Sequence, residues 1–209
     1  MLTLRWIGII FAILTVSALV VAFDVTRHQV ATNSVLKAPL QTVLPAGQNV
    51  HFEKDGWTLQ PLAAFKVRAR VLGVKKYSAG DTGQLAPYDL ALGWGVMAED
   101  AVLQRIEITQ NKRFYTWRYW GQAPLSETDI IGFSTNAHII PADESVLQTL
   151  QKVNIGDRVE LEGYLVQATH PRADKPWRSS LVRDDRGEGA CEIIYAKALQ
   201  HISGRSGNL

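Results

Sequence analysis

Cysteine is almost missing: the chain has one, Cys191. A single thiol makes no intramolecular disulfide and no Cys-rich metal site, so packing alone must hold the fold. Strong charge is missing too. The 22 basic and 20 acidic residues leave a formal net charge of +2, which excludes a broadly cationic polyanion binder but not a local basic stripe. No phosphate loop occurs, and Gly93-Trp94-Gly95 supplies only the first two glycines of a dinucleotide fingerprint. The sequence has no G-x-S-x-G nucleophile elbow. His51, His138, His170 and His201 show no ligand-like spacing, and no pair lies within one helical turn. Neither a metal nor another cofactor is therefore expected.

One uncharged run stands out. Trp6 to Phe23 (WIGIIFAILTVSALVVAF) carries no charge between Arg5 and Asp24. It is close to the roughly 20 residues a helix needs to cross the hydrocarbon core, and in lipid only a helix satisfies every backbone group of a lone segment. Trp6 and Phe23 stand at its ends, where aromatic rings favour the interface. The run predicts an uncleaved anchor. It is longer than the usual signal-peptide core, although Arg5 and the small Ala22 keep the cleaved reading open. Positive charges nearly tie across the segment, so the short head is placed in the cytoplasm for its size alone. A single-pass protein of the inner (cytoplasmic) membrane follows, its domain facing the periplasm or the cell exterior.

The layout reads as anchor (1–23), extended linker (24–50), β-rich globular domain (51–202) and flexible tail (203–209). Pro39, Pro45 and Gly47 punctuate the linker, which has no sustained period. Roughly 150 residues remain for the domain, enough for one core. In Phe65 to Tyr77, Phe65, Val67, Ala69 and Val71 alternate with Lys66, Arg68 and Arg70, which predicts a half-buried strand. Asp89 to Met97 is read as irregular around its Gly-Trp-Gly, with a short helix following near Glu99 to Leu103. Strands over Arg105–Thr109 and Lys112–Trp120 form a hairpin turning at Gln110-Asn111. Ser134 to Ile140 is extended. Asp143 to Leu150 has capping residues and an apolar stripe of Val146, Leu147 and Leu150, which predicts a helix. Further strands are expected over Arg158–Thr169, Trp177–Val182 and Glu192–Leu199. The class is α+β: a transmembrane helix, then an antiparallel sheet or small OB-like barrel with one or two short helices.

Ile155 to Val166, a Gly-Asp turn feeding a strand with an internal Gly163, resembles a strand entry of OB-type barrels, where the glycine bends a long strand. The phrases DLALGWG (89–95), NAHIIPAD (136–143) and RSSLVRDDRGEGACE (178–192) carry a second likeness. Through them the chain resembles an uncharacterised family of single-span bacterial membrane proteins. That resemblance implies a membrane anchor and no particular activity.

Four constellations are candidates for chemistry. Cys191 follows a Gly-broken polar loop, with His138 or His170 available as its base. Ser179 and Ser180 lie near Asp184 and Asp185. In the aromatic and basic strand 112–120, alternation puts Arg113, Tyr115, Trp117 and Tyr119 on one face; such rings and cations stack on bases or sugars. The loop Arg183 to Cys191 packs five charges into six residues and is longer than a simple hairpin needs. If that loop is a site, His138, Ser180, Arg183 and Cys191 should converge, with Asn136 beside them and Arg183 gripping an anion. The weight of these observations favours a membrane-tethered envelope binding or assembly module over an enzyme, with an envelope protein as its partner. The alternatives are a small envelope hydrolase or transferase using Cys191 or Ser180 with His138, and an OB-like nucleic-acid binder should the domain be cytoplasmic.

Overall fold

The computed structural model describes residues 36–45 and 50–202, except 184, 186 and 188. The expected anchor, the first part of the linker and the tail lie outside them. Among the described residues no helix is long and apolar enough to cross a membrane.

Strand β1 (Leu40–Val43) and strand β2 (Phe52–Lys54) are short and both pair with β3 (Trp57–Lys76), the longest element. Within the stretch expected to be a linker, therefore, β1 already joins the sheet, and Leu36 is buried in the core. After β3 come helix α1 (Asp81–Leu85), strand β4 (Tyr88–Gly93), a 3₁₀ turn (Gly95–Ala98) and helix α2 (Asp100–Leu103). β4 corrects the irregular reading of Asp89 to Met97. All six of its residues are buried, so the polar–apolar alternation that marks a half-buried strand is absent. The hairpin follows as β5 (Ile106–Asn111) and β6 (Phe114–Tyr119), and it forms a separate two-stranded sheet. Its turn is Lys112-Arg113, two residues later than expected.

Helix α3 (Glu127–Gly132) begins at Ser126, whose side chain accepts from the Asp129 N–H at 3.2 Å. Strand β7 (Ser134–Pro141) leads to helix α4 (Glu144–Gln151), capped as expected by Asp143, which accepts from the Val146 N–H at 3.0 Å. Strands β8 (Arg158–Thr169), β9 (Trp177–Arg178) and β10 (Glu192–His201) complete the domain. β9 is shorter than the strand expected over Trp177–Val182: the Ser179 N–H still donates to the Val166 carbonyl of β8, but the Ser180 N–H turns to the Cys191 carbonyl and its hydroxyl bonds Asp185 of the loop.

The result is a β-rich α+β fold with a large mixed sheet. β3 pairs with β4, β4 with β7, β7 with β10, β10 with β8, and β8 again with β3. All of these are antiparallel except β7–β10, so five strands make a closed ring of pairings. The alternation of β3 sends Phe65, Val67, Ala69 and Val71 into the ring, where they meet Leu90, Leu92, Ile139, Leu161, Leu165 and Ile194. Val146 and Leu150 of α4 pack on the same cluster. Burying each such side chain stabilises the fold by about 1.5–3 kcal/mol relative to exposure. Gly163 is required by close approach: a Cβ there would sit 2.0 Å from the Tyr195 carbonyl oxygen of the neighbouring strand.

Candidate functional site

On the outer face of β4 and β7, polar side chains replace apolar ones. Asp89 and His138 are register partners on adjacent strands, and both are buried. His138 Nδ1 lies 2.8 Å from Asp89 Oδ1, and the Arg113 Nη1 donates to the same oxygen at 2.6 Å. Nδ1 of His138 is thus placed to donate to the carboxylate that Arg113 also meets. The His138 ring packs on Trp177 with centroids 5.0 Å apart.

Arg113 reaches this position from the hairpin turn. Lys112 and Arg113 both have positive φ, 48° and 72°, the backbone that two-residue hairpins need and usually give to Asn-Gly. Non-glycine residues there cost about 1 kcal/mol or more each. The tip's contacts offset that cost. The Arg113 guanidinium lies 3.7 Å above the Tyr77 ring and donates to the carbonyls of Ala86 (3.0 Å) and Thr82 (2.9 Å). Its own carbonyl accepts from Asn136 Nδ2 at 2.9 Å and lies 3.6 Å from the Cys191 sulfur. Gln110 Nε2 donates to Asn136 Oδ1 at 2.7 Å. The hairpin is thereby latched onto the ring through polar contacts at its tip.

Beside the latch opens a cleft of about 500 Å³. Phe114 and Trp117 of the hairpin, Ile131 of α3 and Ala190 of the 183–191 loop give it apolar walls. Its most buried lining residues are Ser134, Thr135, Asn136 and Glu192. The Thr135 hydroxyl bonds the Glu192 carboxyl. Burial pushes Glu192 up to about 8, against the pull of Arg183. Arg183 Nη1 lies 3.5 Å from Glu192 Oε1, and Nη2 donates to Gln41 Oε1 at 2.8 Å. The same guanidinium lies 5.6 Å from the Phe65 ring centroid and 5.7 Å from that of Trp94. Tyr115 is pushed up to about 12 by burial, and its hydroxyl bonds Ser134 Oγ at 2.9 Å.

Of the residues singled out from sequence, Asn136, Arg183, Cys191 and Trp117 line one cleft. His138, Ser180 and Arg113 do not line it. His138 is committed to Asp89, and no hydrogen bond joins it to Cys191 or Ser180 among the described residues. Ser180 Oγ bonds Asp185 and accepts from the Val182 N–H at 3.0 Å, which fastens the loop. Burial pushes the Cys191 thiol up to about 12, the opposite of an activated nucleophile. Asp89 and Glu192 were not anticipated, although each is a carboxylate inside an apolar run, DLALG and CEIIYA. A charge embedded in such a run is the signal for a buried polar network.

Comparison with protein-family models, with curated proteins and with solved structures finds no match to this chain.

Proposed function

We propose that the chain is a membrane-tethered binding module of the cell envelope, and that the cleft between hairpin, α3 and the 183–191 loop is where it binds. The observation that carries this reading is the cleft itself. It has three-sided apolar walls around a few convergent polar groups, as ligand sites do, and its one thiol is held protonated. The uncharged run Trp6–Phe23 after Arg5 supports the tether and a domain outside the cytoplasm. The ring order, with one parallel pair and a helix between β7 and β8, supports an OB-like barrel. Arg113 being spent on Asp89 weighs against the hairpin as a nucleic-acid surface.

Cys191 is the only thiol of the chain, so its alkylation rate reports the cleft directly. The full-length protein, alkylated in nanodiscs with a small maleimide, should react more slowly when the low-molecular-weight fraction of an envelope extract is present. Trp117→Ala should remove that protection. An alkylation rate that no fraction changes refutes the cleft as a binding site. For the placement, a reporter fused after Leu209 should be active only if it works outside the cytoplasm.

A further inference from the structure

The walls of the cleft are apolar, but one cation is fixed at its edge. Arg183 is held in orientation by Gln41 on one side and by the Phe65 and Trp94 rings near its carbon. A guanidinium so fixed loses little freedom when it grips a ligand, and its planar fork matches a carboxylate. Among the described residues, the acid it pairs with meets it poorly: 3.5 Å from Glu192 Oε1 is the outer limit of a hydrogen bond. We propose that the cleft takes a small amphipathic monocarboxylate, with its head on Arg183 and its apolar body along Phe114, Trp117, Ile131 and Ala190. This rests on the cleft being the binding site.

Two further observations fix the class. Glu192 favours its neutral form because it is buried, so an arriving carboxylate meets a cation and an acid proton rather than a second negative charge. Asp185 and Glu127 also line the cleft. Their charge opposes a dianion such as a phosphate monoester more strongly than a single carboxylate. A volume of about 500 Å³ accommodates a bicyclic aromatic or a short acyl chain.

Equilibrium dialysis of the full-length protein in nanodiscs, with empty nanodiscs as the blank, tests this. Four naphthalene probes share one body: 1-naphthylacetate, the neutral 1-naphthylacetamide, 1-naphthyl phosphate and 1-naphthylmethylammonium. The carboxylate should bind about tenfold or more tighter than the amide, as a charge-assisted pair implies, and tighter than the phosphate. Arg183→Gln should bring the carboxylate down to the level of the amide and leave the amide unchanged. Equal binding of carboxylate and amide, or tightest binding of the ammonium or phosphate, overturns the proposal but leaves the binding cleft standing. No binding by any probe, with Cys191 alkylation also unaffected, removes the cleft reading with it. Should Arg183→Gln fail to fold, the ranking of the four probes on the native protein decides alone.

Discussion

The inside of the ring and the face beneath the hairpin are built on opposite principles. Inside, Val67, Leu90, Ile139, Leu161 and Ile194 meet by shape, and each contact is one of many. Beneath the hairpin, Asp89, Arg113, His138, Gln110 and Asn136 meet by a short list of directed bonds. An apolar core loses stability in proportion to what is removed. A buried polar layer loses more when one partner goes and the other is stranded than when both go together. The second region is therefore the less tolerant of single changes, and it carries the cleft.

Three measurements press on that contrast. Asp89→Ala strands the Arg113 guanidinium, which is 18% exposed, and also leaves His138 Nδ1 without its acceptor. Denaturant unfolding should show a loss of about 3–5 kcal/mol. Adding Arg113→Met to the same chain should recover part of it. If the double variant is as unstable as the sum of the two single ones, the polar layer does not act as a unit.

Leu161→Ala, inside the ring, should cost about 2–5 kcal/mol, with no second change able to rescue it except refilling of the cavity. A cost under about 0.5 kcal/mol, as at surface positions, would break the assignment of the inner face.

The third measurement is one of pH. Glu192 ordinarily titrates at 4.5, and in the fold at about 8. Between those values the unfolded chain releases the proton while the folded chain keeps it. Stability should therefore fall as pH rises, by at most about 1.4 kcal/mol per pH unit from this group. Below about 4.5 both states hold the proton, and above about 8 neither does, so this contribution levels off at either end. Glu192→Gln should flatten that segment of the curve; an unchanged slope would show that Glu192 is not its source.

How far the fold was legible followed how many faces each element buries. β8 was read with its limits correct and with Val159, Leu161 and Leu165 buried and Glu162 exposed, but Glu160, expected to face out in the open, is buried under its pairs with Lys66 and Arg68. α4 showed its Asp143 cap and its Val146–Leu150 stripe. β4 was missed because burial on both faces erases alternation, and α1 is a short helix starting at Gly80 without a side-chain cap. At the site, Asn136, Arg183, Cys191 and Trp117 were visible as chemistry-bearing residues in strands and in the charged loop. Their partners were not visible. Gln41 meets Arg183, and Asp89 meets Arg113, across strand pairings that no local pattern encodes. His138 was expected beside Cys191 for the same reason: both are reactive types, but register gave the imidazole to Asp89.

The two regions also differ in time. β5 and β6 are joined by a two-residue turn and, among the described residues, pair only with each other, so the hairpin is a local event of about 1–10 μs. The ring closes through β3 and β8, where Thr58 meets Thr169 and Phe65 meets Gly163, about a hundred residues further along the chain. That seam makes a high-contact-order fold, whose rate is governed by the search for distant partners rather than by the strength of the contacts finally made. Until the seam is found, the latch residue has no ring to close upon, and nothing offsets the backbone cost of its turn.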